Sequence, residues 1–365
     1  MKVALVYDRV NKWGGAERIL LALHELFPQA PLYTSVYNSK TAGWAQDFVI
    51  KTSFLQHIPY ASSAHEYYPM FMPIAFENFS FDAFDLVISV SSEAGKGIIT
   101  GKQTLHICYC LTPTRYLWSG YEEYFTTPFF RFLTKPIVRY LRTWDIIAAN
   151  RPDYFIAISE EIKKRIKTYY KKDAFVVYPP VSLGLRGKGK AESKTSPYFL
   201  VVSRLVSYKR IDIAIKACNQ LELPLKIVGV GSEEKRLKKI AGPTIEFLGL
   251  LTEESLIAYY KGARALLFPG IEDFGMTVLE AQAFGKPVIA FGDGGALETV
   301  KPGKTGVFFA PQTADALVSV LASFDERKFN PEDCIKNAKK FSKNQFKETF
   351  IKTITKLLKE RENYI

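Results

Sequence analysis

At 365 residues, 47% of them apolar, the chain is long enough for two or three domains with a core each, which excludes a disordered protein. Its formal charge of +12 asks for a polyanionic partner without choosing among a phosphate-rich ligand, nucleic acid and an anionic membrane. No apolar run reaches the ~18 residues of a membrane span, and the N-terminus has no cleavage-site pattern, so the chain reads as soluble and cytoplasmic.

Short runs rich in Val, Ile and Tyr alternate with helical patterns. The first run, VALVYD at 3–8, leads through Gly14 and Gly15 into the helix-like AERILLALHELF at 16–27. Strand-like LVISV (86–90), LHICYCL (105–111) and YFIAIS (154–159) follow, then the basic helix EEIKKRIKTYY (160–170) and FVVYPPV (175–181). Such alternation predicts βα units around parallel sheets. Two aromatic and basic stretches, 67–81 and 129–144, each fit an interior helix against the sheet or a surface facing an anionic bilayer. Cys108, Cys110, Cys218 and Cys334 have no paired spacing and belong to the core, and the four His residues lack the spacing of a zinc site.

SLGLRGKGKAESKTSP, with hardly an apolar residue, sets a linker at 183–196 between a first domain at 1–182 and a second at 197–344. The alternation then restarts with YFLVVSRL (198–205), PLKIVGVG (224–231), IEFLGL (245–250), ARALLFPG (263–270), KPVIAFGDGG (286–295) and GVFFA (306–310), with helices between. The expected fold class is α/β, two doubly wound Rossmann-like domains facing across a cleft. Phe346, Phe350, Ile354, Leu357 and Leu358 recur at helical spacing, so a helix at about 345–365 is expected to pack back on the first domain.

In doubly wound sheets ligands bind beyond the carboxyl ends of the strands. GIEDFGMTVLEAQAFG, at 270–285, puts Glu272 in such a loop and Glu280 about a turn and a half into the next helix, whose N-terminal N–H groups at Gly275 suit a phosphate. Sugar hydroxyls supply paired donors for such carboxylates. Arg204 and Lys209 follow the first strand of the second domain at the same edge, a bidentate fork and a point charge for diphosphate oxygens. The glycines of GDGGALETV (292–300) mark a backbone that approaches a ligand closely.

These residues resemble the donor half of the retaining glycosyltransferases with two Rossmann-like domains, the GT-B architecture of the glycosyl transferases group 1. SRL with Lys209, the E-x7-E pair Glu272 and Glu280, and GDGGALETVKPGKTG carry the resemblance over about 196–325. It implies that Glu272 lies by the transferred sugar, that Glu280 contacts the nucleotide ribose and that Arg204 and Lys209 hold the diphosphate. Glu272, Arg204 and Lys209 are then the catalytic set, and Asp273, Phe274, Gly275, Met276 and Thr277 complete the donor loop. Gly14 and Gly15 resemble the family's glycine loop near the scissile phosphate. ICYCLTPTRYLW (107–118) resembles a motif in which His commonly stands where this chain has Leu111, which removes a His-assisted step, and Tyr109, Arg115, Tyr116 and Trp118 are the acceptor-side candidates.

The resemblance implies a hexosyltransferase of surface-polysaccharide or glycolipid synthesis, similar to bacterial mannosyltransferases. It would use a nucleotide-diphosphate sugar, GDP-mannose first, and a glycan or lipid-linked acceptor. No cofactor is expected, and no metal, since no Asp-x-Asp occurs. An anionic membrane surface is an expected partner, peripheral on the inner face of the cell membrane; nucleic acid is not. Alternatives are a nucleotide-sugar epimerase of the same fold and a non-catalytic anion- or donor-binding protein.

Overall fold

The computed structural model describes residues 1–125, 127–181 and 197–362; the linker expected at 183–196 lies outside the described residues. The chain divides into two compact units, Met1–Pro180 with Phe346–Ile365, and Val181–Gln345.

The first unit opens with β1 (Val3–Tyr7), α1 (Gly15–Leu26), β2 (Leu32–Thr34), β3 (Ile50–Thr52), α2 (Met72–Glu77) and β4 (Leu86–Ser91). It continues with β5 (Leu105–Cys110), α3 (Tyr121–Tyr124), α4 (Pro128–Ala148), β6 (Tyr154–Ala157), α5 (Glu160–Tyr170) and β7 (Ala174–Val176). Its seven strands lie in the order β3-β2-β1-β4-β5-β6-β7, all pairs parallel. Every residue of β1, β4 and β5 is buried, as strands covered on both faces require, and this makes their sequences largely apolar, with Ser89 and His106 bonded to each other at 2.8 Å. The order reverses between β1 and β4, so the loops after these two strands flank the switch point of the sheet.

In the second unit β8 (Tyr198–Val202), α6 (Ile211–Gln220), β9 (Leu225–Val228), α7 (Glu234–Ile240), β10 (Ile245–Gly249) and α8 (Glu253–Gly262) come first. β11 (Ala263–Phe268), α9 (Met276–Ala283), β12 (Val288–Phe291), α10 (Ala296–Thr299), β13 (Gly306–Phe309), α11 (Ala314–Ala322) and α12 (Pro331–Lys339) complete it. The six strands run β10-β9-β8-β11-β12-β13, again parallel. Both units are therefore doubly wound α/β sheets.

The final helix, α13 (Lys343–Glu362), buries Phe346, Phe350, Ile354 and Leu357 along one stripe. Phe346 and Phe350 meet the ring of Tyr109 on β5 at 6.0 and 5.9 Å. Tyr109 is fully buried, and its hydroxyl donates to the Val177 carbonyl at 2.8 Å. It is a core residue of a central strand, which corrects its reading as an acceptor contact.

α4 is anchored by a buried ion pair. Val138, Leu141, Asp145 and Ala148 form its buried face. Asp145 Oδ1 accepts from Lys96 Nζ at 2.5 Å and Thr114 Oγ1 at 2.8 Å, and Oδ2 accepts from Trp118 Nε1 and Tyr170 OH, both at 2.8 Å. Lys96 Nζ also donates to the Glu93 carbonyl. Asp145 raises the Lys96 pKa against the opposing effect of burial, so the ammonium stays charged. Trp118, stacked on Tyr169 at 5.2 Å with Arg142 over its ring, is committed to holding its loop on α4, and it too leaves the acceptor-side set.

Removing one partner of a satisfied buried pair strands the other charge. Asp145→Ala is expected to cost ~3–5 kcal/mol in urea unfolding of the whole chain. A loss below ~1 kcal/mol would put this pair in the class of surface ion pairs.

Candidate functional site

Three loops meet at the carboxyl edge of the second sheet, where the strand order reverses between β8 and β11. Residues 203–209 follow β8, 269–275 follow β11 and 292–295 follow β12. They interlock backbone against backbone. A Cβ on Gly231 would lie 2.2 Å from the Leu205 carbonyl oxygen, and one on Gly295 would lie 2.3 Å from the Phe274 Cα. Gly295 N donates to the Glu272 carbonyl at 2.8 Å, which fixes the height of the β11 loop. The glycines at 292, 294 and 295, read as an approach to a ligand, thus have a nearer reason: Gly294 and Gly295 seat the loop that carries Glu272.

On this frame the predicted charges come together. Lys209 is 7% exposed and ion-paired with Glu272 Oε1. Low accessibility strengthens that interaction relative to a surface pair. Tyr208, which the sequence reading passed over, lies between the cations: its hydroxyl receives Arg204 Nη2 at 2.5 Å and Lys209 Nζ sits 4.9 Å from its ring centre. Its signal was an aromatic residue directly beside a cation, in the order Ser207-Tyr208-Lys209. Arg204 itself is exposed. Gly275 takes a left-handed backbone, φ 89°, as N-cap of α9, and no side chain caps that helix start. Its N–H groups therefore face the loop cluster in a form that accepts an anion.

The remaining donor-loop residues divide. Asp273, Met276 and Thr277 are half-buried at the loop and helix start. Phe274 is turned inside, its ring 5.6 Å from Phe341, so only its backbone lines the loop. Glu280 is 4% exposed, and its Oε2 accepts from the Tyr260 hydroxyl at 2.8 Å. Tyr260, stacked on Phe284, orients this carboxylate from within the unit.

Gly14 and Gly15 lie in the first unit. Gly14 is extended, φ −175°, a backbone open to any residue, and its value is space: a Cβ there would lie 3.1 Å from Glu17 Oε2. Glu17, bonded to Tyr7 OH at 2.6 Å, is a buried acid in the first turn of α1. At the neighbouring switch point Asp8 accepts from Ser91 Oγ and from the backbone N–H groups of Ser92, Glu93 and Gly95. Burial and Glu93 raise the Asp8 pKa from its ordinary value. Arg115 and Tyr116 are half-buried in the loop after β5, and Tyr116 lines a small cavity with Thr114 and Asp145. Among the described residues no group of three or more His, Cys, Asp or Glu side chains is placed to hold a metal ion.

With an acid and cations at the switch point of its doubly wound sheet, the second unit is similar to the family described as glycosyl transferases group 1, whose model matches residues 187–341. The chain is 26% identical over 225 residues to O-antigen chain mannosyltransferase C of Escherichia coli, covering 58% of each protein. Over 143 residues it is 36% identical to a GDP-mannose-dependent monoacylated alpha-(1-6)-phosphatidylinositol monomannoside mannosyltransferase of Corynebacterium glutamicum, covering 35% of this chain and 37% of that one. The chain thus spans about half the length of the curated relatives it matches. In fold it is similar to Anabaena HepE in complex with UDP and glucose, with TM-score 0.72, 17% identity and coverage of 97% and 99%. A sucrose-phosphate synthase of Thermosynechococcus elongatus gives TM-score 0.73 at 16% identity, with coverage of 99% and 100%.

The Lys209–Glu272 pair sets a test that needs no turnover. Glu272→Gln removes the partner charge but keeps the shape, so Lys209 becomes available to an anion. Calorimetry is expected to give equal or tighter binding of GDP or UDP to this variant, by up to about tenfold. Weaker nucleotide binding would show that the Glu272 carboxylate itself holds the nucleotide.

Proposed function

We propose that the protein is a retaining glycosyltransferase that moves a hexose, mannose first, from a nucleotide-diphosphate sugar to a glycan or lipid-linked acceptor. The observation that carries this reading is the convergence of Arg204, Lys209, Glu272 and the uncapped start of α9 at one switch point of a group 1 domain. The two mannosyltransferase relatives support mannose, and the GDP-mannose dependence of the Corynebacterium glutamicum enzyme supports GDP as the carrier.

In this mechanism the acceptor hydroxyl oxygen bonds to the anomeric carbon on the face the diphosphate leaves. The carbon–oxygen bond to the phosphate breaks, and the hydroxyl proton passes to the departing phosphate oxygen. Charge on that phosphate is balanced by Arg204, Lys209 and the α9 N–H groups, with no metal required. Leu111, half-buried after β5, can neither take up a proton nor give one, so the departing phosphate serves as the base. Glu272 releases Lys209 to the diphosphate and takes sugar hydroxyls in exchange.

Arg204→Ala is expected to weaken binding of both the nucleotide sugar and the bare nucleotide diphosphate by ~1.5–3 kcal/mol, read by calorimetry after a thermal-shift screen of nucleotide sugars. Unchanged affinity for the nucleotide diphosphate would remove the donor site. Product anomers read by proton NMR decide retention.

We also propose that the protein works at an anionic membrane surface. The first half of α4 carries Phe129, Phe132 and Leu133 at 76%, 78% and 61% exposure, beside Arg131, Lys135 and Arg139. Among the described residues no helix is long and apolar enough to cross a membrane, so this helix end fits the headgroup boundary. The protein is expected to sediment with phosphatidylglycerol vesicles at low salt and to leave them as salt rises, and Phe132→Ser with Lys135→Glu to abolish the effect. No sedimentation at any ionic strength would refute it.

A further inference from the structure

Arg204 and Lys209 are two cations of one loop, yet they are held in different ways. Lys209 is ion-paired with Glu272, so its charge is matched before any ligand arrives. Arg204 is exposed, and among the described residues no carboxylate pairs with its guanidinium; Nη2 donates instead to the hydroxyl of Tyr208 at 2.5 Å. A phenol oxygen is a neutral acceptor. It takes one of the five N–H groups of the fork and leaves the positive charge, with the other four, for phosphate oxygens. A carboxylate in the same place would cancel that charge and compete with the ligand.

Holding an exposed arginine in advance has a second effect. A side chain that a ligand must order loses rotamer freedom on binding, and one already tethered loses less.

The support is itself firmly mounted. Val206 N donates to the Arg204 carbonyl at 3.0 Å and Lys209 N to the Val206 carbonyl at 3.1 Å, so the loop turns tightly between the two cations. Its main chain lies directly on the β11 loop, where a Cβ on Gly270 would be 2.9 Å from the Tyr208 carbonyl oxygen and 2.8 Å from the Lys209 Cα. Arg210 closes the turn in a left-handed backbone, φ 49°, as N-cap of α6. The half-buried Tyr208 ring thus stands on backbone that two loops fix. Its face meets the other cation, with Lys209 Nζ 4.9 Å from the ring centre. Such a cation–π contact leaves the ammonium charged and keeps it in place when Glu272 releases it. One side chain therefore reaches both cations and cancels neither.

We propose that Tyr208 is a positioning residue for the diphosphate of the donor, its hydroxyl presenting the Arg204 guanidinium and its ring presenting Lys209. Tyr208 has this role only if Arg204 and Lys209 bind the diphosphate, as the transferase reading holds.

Calorimetry with GDP and with UDP on the full chain tests it, using Tyr208→Phe, Tyr208→Ala and each of these combined with Arg204→Ala. For the nucleotide that the wild type binds more tightly, Tyr208→Phe is expected to weaken binding about three- to tenfold, because the ligand alone must then order Arg204. In the Arg204→Ala background the same change is expected to cost less than about twofold, since the hydroxyl has no guanidinium left to hold. Tyr208→Ala removes the ring as well, so a loss of about twofold or more persists without Arg204. Tyr208→Phe keeps the packing of the ring, and thermal melts verify that all the variants fold. Full affinity in Tyr208→Phe, or an equal loss with and without Arg204, would overturn the positioning role and leave the donor site standing. A Tyr208→Ala loss that vanishes without Arg204 would overturn the part assigned to the ring. Unchanged affinity in Arg204→Ala, or binding of neither nucleotide, would remove the donor site and this role with it.

Discussion

Gly231 and Gly295 stand where a Cβ would lie 2.2 and 2.3 Å from a neighbouring backbone, and the arrangement of the second unit's switch point depends on those two approaches. Because the β8, β9, β11 and β12 loops touch main chain to main chain, their relative heights are set by covalent geometry rather than by mobile side chains. Lys209 and Glu272 are held in contact by the β8 and β11 loops, whose own close approach is at Gly270, where a Cβ would lie 2.8 Å from the Lys209 Cα. A site that must balance charge on a leaving group gains from such fixed geometry, since reorganisation is then small.

Three charged clusters in the molecule differ in how fully they are bonded. Asp145 meets four donors and its partner Lys96 is engaged on several sides, a closed network that secures α4 to its sheet. Lys209 and Glu272 are less buried and have exposed Arg204 beside them, so their pairing is exchangeable for a ligand. Arg9 and Asn11 are half-buried and His65 is buried, and each holds a buried polar atom without a hydrogen bond. Burial with satisfaction marks structure, whereas burial without it leaves polar atoms that have lost water and not replaced it.

Most strands were legible because a parallel sheet covered on both faces demands largely apolar runs, and VALVY, LVISV and LHICYC are such runs, interrupted only by Ser89 and His106. β2 and β3, three residues each at one edge of the sheet, are too short to show a period, and the sequence reading left them out. The segment 129–144 fitted both readings because a helix with Arg131, Lys135, Arg139 and Arg142 on one face and apolar residues on the other suits a sheet and a bilayer surface alike. The structure divides it: the buried face begins at Val138, and Phe129 to Leu133 project from the fold. Arg204, Lys209 and Glu272 were legible because the loop after each strand places them at one edge. Asp8 was not, since its donors lie 83 to 87 residues away, and Tyr208 was hidden as an ordinary aromatic residue. Tyr109 misled for the opposite reason, since proximity to a motif in sequence says nothing about which side of a buried strand it occupies.

The path of the chain between its two units has a consequence for the order in which the protein can be made. Val181 N donates to the Phe341 carbonyl at 2.9 Å and Val181 bridges Ser342, so the chain enters and leaves the second unit side by side. The first unit is thereby split, and Phe346 and Phe350, which close its core over Tyr109, are the last of its apolar residues to be synthesised save those further along α13. During translation the second unit is complete before the first. The early sheet must wait with its α13-facing side uncovered, a period in which exposed β5 is open to wrong association.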